Sequence, residues 1–287
     1  MAPAPRRRPA PQRWEVVRTE DLSPHLRRVV VTGPGFDAFV ERDQGFTDRY
    51  VKLWFLHPDH TYPDPVDIEV VRATMPQEAW PVVRTYTVRD VDAEARELTI
   101  DFVVHGDSGV AGPWAAAAQP GDALFLVGPG GAYRPSPDAD WHLLVGDDAA
   151  LPAIAAALEE IPADVPVRAV LEVESADDTI ELVSDGDLDV TWLFRGDAPP
   201  VALLDQAVRE MPWPDGTVQA FVHGESRVMR TVRPFLLGER DVDRSMLSVS
   251  AYWRSGETEE GFRAWKAEQN AAAEAAAAQT PAAGAVA

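Results

Sequence analysis

A short run of residues, Arg84-Thr85-Tyr86-Thr87, combines a guanidinium, a phenol ring and two hydroxyls. The guanidinium can bind phosphate oxygens through two parallel hydrogen bonds, the ring can stack on a flat heterocycle, and a hydroxyl can bond a ring nitrogen. The β-branched and aromatic content predicts a strand, with Arg84, Tyr86 and Val88 on one face and Thr85 and Thr87 on the other. The run fits a site for a planar, phosphorylated ligand, although an exposed edge strand with an ion-paired arginine would have the same composition.

A glycine-rich turn, residues 105–114, follows about twenty residues later. Its glycines would let the backbone approach a ligand closely. Pro113 fits the first position of a helix, which we expect to continue over residues 114–119. The free backbone N–H groups at the start of such a helix can bind a pyrophosphate. An ordinary strand–turn–helix with a proline cap would have the same sequence.

Two polar groups follow apolar stretches in the second half of the chain. Gly146-Asp147-Asp148 comes directly after residues 142–145, and Arg195 comes directly after residues 190–194. In a parallel sheet these positions lie at the carboxyl edge, where α/β domains bind ligands. Because no Gly-x-Gly-x-x-Gly occurs, the Gly146 segment could also be an ordinary βα turn that binds no nucleotide. Arg195 is either a ligand for an adenosine 2′-phosphate or a surface residue. Gly224-Glu225-Ser226 lacks the second glycine of a nucleophile elbow, which excludes a serine hydrolase.

The elements that must position these groups fall into two classes. The first half has six short stretches of strand character, at the spacing of a small antiparallel barrel: residues 14–19, 26–32, 50–56, 84–89, 97–105 and 123–127. The second half alternates apolar strands (142–145, 167–173, 190–194 and 217–222) with helices (151–161, 201–211 and 226–237), which predicts a doubly wound parallel sheet. We therefore expect a disordered arm over residues 1–12, a barrel over 13–137, an α/β domain over 138–268 and an Ala-rich tail over 269–287.

Composition excludes several kinds of function. The 287-residue chain has a net charge of −21, which argues against nucleic acid as a partner, and no cysteine, which excludes thiolate metal sites and iron–sulfur clusters. It has neither an apolar run long enough to span a membrane nor a signal peptide, so we expect a cytoplasmic protein. His57 and His60 share a loop without a third ligand in view, and we predict no metal site.

The motifs, in this order, resemble those of the siderophore-interacting proteins, the ferric-siderophore reductase branch of the ferredoxin reductase superfamily. The run from Arg84 to Thr87 is similar to the flavin motif Arg-x-Tyr-Ser/Thr of that superfamily. His105-Gly106-Asp107, followed by Ala111 and Trp114, resembles the family's flavin pyrophosphate loop.

Two further segments carry the resemblance, one of them with departures. Tyr252-Trp253-Arg254-Ser255-Gly256 is similar to the family's closing motif Tyr-Trp-Arg-x-Gly. The family segment Gly-Asp-Glu-Thr-Ala-Leu-Pro is altered here, because Asp148 replaces the glutamate and Ala149 replaces the threonine. The lost hydroxyl could have capped a helix or held a phosphate, which weakens the nicotinamide-nucleotide assignment.

The resemblance implies an FAD-binding six-stranded barrel followed by a nucleotide-binding domain of the ferredoxin reductase type. NADPH or NADH would give hydride to FAD beside Thr87, the expected catalytic residue, and FAD would reduce the ferric iron of a siderophore. The implied FAD-binding residues are Arg84, Thr85, Tyr86, Thr87, His105, Gly109, Ala111, Trp114, Tyr252 and Trp253. The implied NAD(P)H-binding residues are Gly146, Asp147, Asp148, Arg195, Gly224 and Glu225, and Lys52 and Arg254 are the candidates for holding the anionic ferric siderophore.

Other functions agree with the same residues. The chain could be a general flavin or quinone reductase, or a ferric-siderophore binding protein without catalysis. Tyr252 and Trp253 could form an aromatic clamp between the domains rather than a flavin cover. A reduced ferredoxin could replace the nicotinamide donor, although the acidic surface disfavours an acidic partner. We expect a monomer.

Overall fold

A computed structural model of the chain describes residues 10–106 and 109–257, together with residues 261, 262, 265 and 268. The predicted tail and nearly all of the predicted arm lie outside these residues, as does Asp107 of the glycine-rich turn. Within the described residues, no helix has both the length and the apolar composition needed to cross a membrane.

The first half of the chain is a closed antiparallel barrel of six strands, as predicted. The strands are β1 (Gln12–Ser23), β2 (Leu26–Thr32), β3 (Tyr50–Phe55), β4 (Val82–Asp92), β5 (Glu97–Val103) and β6 (Ala123–Gly130), in the order β1-β2-β5-β4-β3-β6. Alternate apolar residues of these strands fill the interior, where Trp14, Ile100 and Phe102 are fully buried. Closure leaves no open sheet edge in this half.

The side-chain alternation predicted for the Arg84 strand is confirmed. In the ladder between β3 and β4, Tyr86 lies opposite Val51 and Arg84 opposite Leu53, and both of these partners are fully buried inside the barrel. Directly opposed residues in a ladder share a face of the sheet. Arg84 and Tyr86 therefore lie on the inner side of the barrel wall, and Thr87 lies on the outer side.

Three short helices accompany the barrel: α1 (Phe36–Val40), α2 (Ile68–Thr74) and α3 (Ala111–Ala117). The start predicted for α3, at Pro113 and Trp114, was wrong. The Trp114 N–H donates to the Val110 carbonyl at 3.1 Å, so the helix begins at Ala111 and this N–H is already bonded within it. The helix can begin two residues before Pro113 because a proline is tolerated in the first turn, where its missing N–H would have no partner within the helix.

The second half is a five-stranded parallel sheet flanked by helices, as predicted. Its strands are β7 (Trp141–Asp147), β8 (Pro166–Val173), β9 (Asp187–Phe194), β10 (Val218–Glu225) and β11 (Leu247–Trp253), in the order β11-β10-β7-β8-β9. The helices are α4 (Leu151–Leu158), α5 (Leu204–Glu210) and α6 (Val228–Gly238). Strand β11 was not predicted, and it brings the Tyr252-Trp253 pair to the carboxyl edge of the sheet beside β10.

Contacts of several kinds hold the barrel against the sheet. The Arg89 guanidinium on β4 pairs with the Glu159 carboxylate at the end of α4. The Tyr133 ring, between the two halves, packs on Phe221 of β10 with ring centroids 4.7 Å apart. Gln219 of β10 accepts a hydrogen bond from the Ser136 N–H at 2.8 Å. These contacts fix the outer face of β4 relative to the carboxyl edge of the sheet.

Gly146 is required by packing where β7 meets α4. A Cβ at this position would lie 2.6 Å from the Ala150 Cβ and 2.9 Å from the Ile154 Cδ1. We therefore expect Gly146→Ala to lower the free energy of unfolding by about 1–3 kcal/mol, because an added methyl forces a packed helix to shift. Urea unfolding followed by circular dichroism measures this change. Gly238→Ala is the control, since a Cβ there meets no atom within 4 Å, and equal losses in both variants would contradict the packing explanation.

Candidate functional site

Thr87 of β4 and Tyr252 of β11 meet where the barrel adjoins the sheet. The Thr87 side chain lies close enough to the Tyr252 phenol to affect its pKa, so the two halves of the chain are in contact here. The Tyr252 ring also lies edge-on to His223 of β10, with ring centroids 5.1 Å apart. Burial, aided by the negative charge of Asp48, raises the pKa of Tyr252, so the phenol stays protonated. The residue expected to lie beside the flavin is thus in direct contact with the closing motif.

Exposed side chains surround Thr87 on the outer face of β3 and β4. Tyr50 lies opposite Thr87 in the ladder, and Lys52 lies opposite Thr85. Both β3 side chains are exposed, with the Lys52 Nζ 5.9 Å from the Tyr50 ring centroid. This face offers a cation and a phenol ring to a ligand that approaches Thr87.

Arg84 and Tyr86 lie at the end of the barrel where β4 begins. Arg84 is half-buried and donates to the Val83 carbonyl at 3.0 Å. The Tyr86 ring packs on Phe102 with centroids 4.4 Å apart, so the barrel core fixes its orientation. Because β4 runs antiparallel to β5, the loop after Phe102 lies at this same end of the barrel.

The glycine-rich turn has the geometry of a loop that a ligand can approach. Gly106 and Gly109 have φ of +51° and +81°, in the left-handed region, and a Cβ on either would meet no atom of the described residues within 4 Å. His105 is exposed beside them. This open backbone, at the barrel end that carries Arg84, fits the diphosphate of a dinucleotide cofactor such as FAD.

Trp114 packs into the barrel end beside this loop. Its indole contacts the rings of Phe55 and Phe102, each at 5.6 Å between centroids, and it is only half-buried. Ala111, at the start of α3, is buried. Both positions belong to the wall that supports the turn.

Asp147, at the end of β7, is buried, and its carboxylate accepts three hydrogen bonds from protein donors. They come from the Glu225 N–H at 2.8 Å, the Trp253 indole N–H at 2.8 Å and the Ala149 N–H at 3.0 Å. Burial raises the pKa of Asp147 to about 7, and the neighbouring Asp148 carboxylate adds to this effect. The carboxylate therefore joins the carboxyl ends of three strands.

Gly224 and Glu225 take part in the same arrangement. A Cβ on Gly224, whose φ is +137°, would lie 2.7 Å from the Asp147 carboxyl carbon. The buried Glu225 carboxylate accepts from the Ser226 hydroxyl at 2.9 Å and from the Ser255 N–H at 3.1 Å. Glycine is needed here so that the backbone can approach the Asp147 carboxylate.

Arg195, which follows β9, is ion-paired. Its guanidinium donates to Asp148 at 2.8 Å and to Glu174 at 3.4 Å. Burial is the largest influence on Asp148 and raises its pKa, although Arg195 opposes the rise. A phosphate that approached Arg195 would also approach these two carboxylates.

Arg254 lies directly after β11 and is half-buried. Its guanidinium stacks over the Trp265 ring, 5.3 Å from the centroid, and lies 3.7 Å from the Glu257 carboxylate. The adjacent Trp253 is held by its indole bond to Asp147. The closing motif is thus fixed by contacts on both sides.

His57 and His60 lie in the loop after β3, with ring centroids 6.3 Å apart. The His57 Nε2 is 3.1 Å from the Trp80 carbonyl oxygen. Across the part of the chain that the structure describes, His, Cys, Asp and Glu side chains form no group of three that could hold a metal ion.

Sequence reasoning did not identify Tyr50, Asp48 or His223 as neighbours of the Thr87–Tyr252 contact. Tyr50 could have been found from strand alternation, because it is two residues from Lys52 on the same face. Asp48 and His223 have no such signal, since their proximity depends on how the two halves of the chain meet.

Each half of the chain matches the model of a known protein family. Residues 15–133 match the siderophore-interacting FAD-binding domain, and residues 139–256 match the siderophore-interacting protein domain. An uncharacterized protein of Mycobacterium tuberculosis is 49% identical over 89% of this chain and 94% of its own length. The ferric vibriobactin reductase ViuB of Vibrio cholerae is 34% identical over 88% and 92%. The NADPH-dependent ferric-chelate reductase of Escherichia coli is 31% identical over 84% and 91%.

Solved structures agree with this assignment. The crystal structure of a siderophore utilization protein from T. fusca superimposes with a TM-score of 0.73 at 35% identity, covering 86% of this chain and 94% of that one. Ferredoxin reductases share the fold at lower identity: that of carbazole 1,9a-dioxygenase has a TM-score of 0.60 at 18% identity, covering 85% of this chain and 70% of that one.

The burial of Asp147 predicts a pH-dependent stability. Its pKa rises from 3.8 in an ordinary carboxyl to about 7 in the folded protein, so its contribution to stability is complete below pH 4 and is lost as the pH rises through 7. We expect the melting temperature of Asp147→Asn, relative to wild type, to increase by at least about 3 °C between pH 5 and pH 8. Calorimetry across this range tests it. The exposed Asp164→Asn is the control, and parallel curves for Asp147→Asn and wild type would contradict the burial argument.

Proposed function

This chain belongs to the siderophore-interacting protein family, and we propose that it is a reductase that passes electrons from NAD(P)H through FAD to the ferric iron of a siderophore. The contact between Thr87 and Tyr252 carries the proposal, because it brings the flavin motif of the barrel to the carboxyl edge of the parallel sheet. Relatives across most of the chain are named as a ferric vibriobactin reductase and an NADPH-dependent ferric-chelate reductase, which supports the same class of reaction.

The barrel residues fit FAD as the bound cofactor. Bound FAD would supply a ring that accepts hydride and releases electrons singly. Arg84 would hold its diphosphate, with the open backbone of Gly106 and Gly109 at the same barrel end. Tyr86, oriented by Phe102, would support the ring system, and the Thr87 hydroxyl would bond a ring atom. Further contacts are assigned to His105, Thr85, Ala111, Trp114, Tyr252 and Trp253.

NAD(P)H would bind at the carboxyl edge of the sheet, as ligands do in this class of fold. Gly146, Asp148, Arg195 and the segment from Gly224 line this edge. Arg195 remains the candidate for an adenosine 2′-phosphate, and the name of the Escherichia coli relative favours NADPH. Its pairing with Asp148 and Glu174 means that a 2′-phosphate would have to displace these carboxylates.

Lys52 and Arg254 would hold the ferric siderophore. An anionic chelate approaches a chain of net charge −21 against an adverse field, so local cations must offset the repulsion. Lys52 is exposed on the face that carries Thr87, and Arg254 follows Trp253 directly. We propose that the protein acts as a monomer in the cytoplasm, where NAD(P)H is regenerated.

The visible spectrum of the purified protein is the first test of this function. We expect flavin bands near about 380 and 450 nm that bleach on anaerobic addition of NADPH or NADH and return when a ferric siderophore is added. A colourless protein that cannot be reconstituted with FAD would favour a siderophore-binding protein without catalysis. Equal turnover of ferric siderophores and quinones would favour a general flavin reductase.

Replacement of Arg84 tests the assignment of the FAD diphosphate. We expect Arg84→Gln to weaken FAD binding by about tenfold to a hundredfold, because hydrogen bonds to a charged group are lost. Quenching of flavin fluorescence during titration of the apoprotein measures the affinity. The exposed Arg96→Gln, which removes an ion pair with Asp37 and a cation–π contact with the Phe36 ring, is the control. Unchanged FAD affinity in Arg84→Gln would exclude Arg84 as a phosphate ligand.

Replacement of Lys52 tests the siderophore site. We expect Lys52→Gln to raise the KM for an anionic ferric siderophore about threefold to tenfold, and to reduce the salt dependence of kcat/KM, because one attractive charge is lost. Steady-state assays at two ionic strengths measure both effects. The KM for a neutral quinone serves as the internal control, and an equal rise in both KM values would contradict a charge-specific role.

A further inference from the structure

We propose that Asp147 is a positioning residue whose ionised carboxylate holds the Tyr252-Trp253 pair in place, so that its protonation weakens binding of the nicotinamide donor. The pair lies where Thr87 of the barrel meets the carboxyl edge of the sheet, a junction that we call the cleft. This inference rests on the proposed function. It replaces direct contact between Asp147 and the nucleotide with an indirect role through β11.

The donors to Asp147 come from three different segments. One is the backbone at the end of β10, one is the indole at the end of β11, and one is the loop that follows β7. Only 3% of Asp147 is exposed, so these protein donors occupy the carboxylate and leave little of it for a ligand. The side chain can therefore influence the cleft only through the segments that it binds.

The path from Asp147 to the cleft is short. Trp253 receives the hydrogen bond, and the neighbouring Tyr252 reaches across to Thr87. Gly224 allows the arrangement, since any side chain there would collide with the Asp147 carboxyl group. A shift of the β11 end would displace both aromatic side chains together.

The ionised carboxylate is the form that suits this arrangement. All three neighbours donate hydrogen bonds, and a protonated carboxyl group would be a weaker acceptor of them. Burial nevertheless raises the pKa of Asp147 to about 7, so both forms exist near neutral pH.

Titratable groups face Asp147 from each adjacent element. Asp148 lies on the same loop, Glu225 at the end of β10 and Tyr252 on β11. The Asp148 carboxylate is paired with Arg195, which limits its repulsion of Asp147. Burial keeps the Tyr252 phenol neutral by raising its pKa, so Asp147 is the group expected to change charge.

The indole N–H resonance of Trp253 tests the first step directly. In the full chain labelled with ¹⁵N, comparison with Trp253→Phe identifies this signal among those of the nine tryptophans. We expect it to titrate with a midpoint near pH 7 in the wild type and not to titrate in Asp147→Asn. Asp148→Asn is the matched control, in which the titration persists with a lower midpoint. A wild-type signal that does not move between pH 5 and pH 9 overturns the proposal, even if Asp147→Asn fails to fold.

Donor kinetics test the second step. We expect the KM of the wild type for NADPH or NADH to rise about tenfold as the pH falls from 8 to 6, with a smaller change in kcat. Asp147→Asn should show the higher KM at both pH values, and its tryptophan spectrum should otherwise match the wild type. A titrating indole signal with a pH-independent KM overturns the positioning role while leaving the reductase function intact. Failure of flavin reduction at every pH instead refutes the proposed function, and the indole titration does not depend on it.

Discussion

The contact between Thr87 and Tyr252 can form only if a barrel strand and the last strand of the parallel sheet are held at a fixed separation. The two halves of the chain must therefore act as one rigid support. Two kinds of contact hold the halves rigidly together. One is the ion pair between Arg89 and Glu159, and the other is the apolar packing of Tyr133 on Phe221. The geometry of the cleft is thus a property of the interface between the two halves.

Charge imposes a second constraint on the same cleft. The chain is strongly acidic, yet each reactant in the proposed reaction is an anion. Long-range attraction cannot collect such ligands, so binding must come from cations placed within a Debye length of the site. Lys52 is exposed on the face that carries Thr87, and Arg195 and Arg254 each lie beside a carboxylate.

Local periodicity made much of this molecule predictable, and non-local contacts made the rest unpredictable. The alternation of Arg84, Tyr86 and Thr87 follows from strand geometry alone, and so does the barrel. Strand β11 was missed although its alternation of apolar residues and serines has the period of a strand, and its position in the sheet depends on pairing with β10. The role of Asp147 was equally hidden, because an acidic residue after a strand resembles a ligand contact until its three donors are seen.

Two buried carboxylates at the carboxyl edge change what this edge can do. Asp147 and Glu225 accept hydrogen bonds from the backbone and side chains of the segments around them. Because both carboxylates are buried, they stabilise the cleft without forming part of its exposed surface. Each would be costly to bury without these donors. In the proposed function, a nucleotide at this edge would be recognised by backbone groups and exposed side chains, while Asp147 and Glu225 hold the surrounding segments in place. Asp147 then supports the end of β11 through Trp253, and the pH dependence that we propose for donor binding follows from this support.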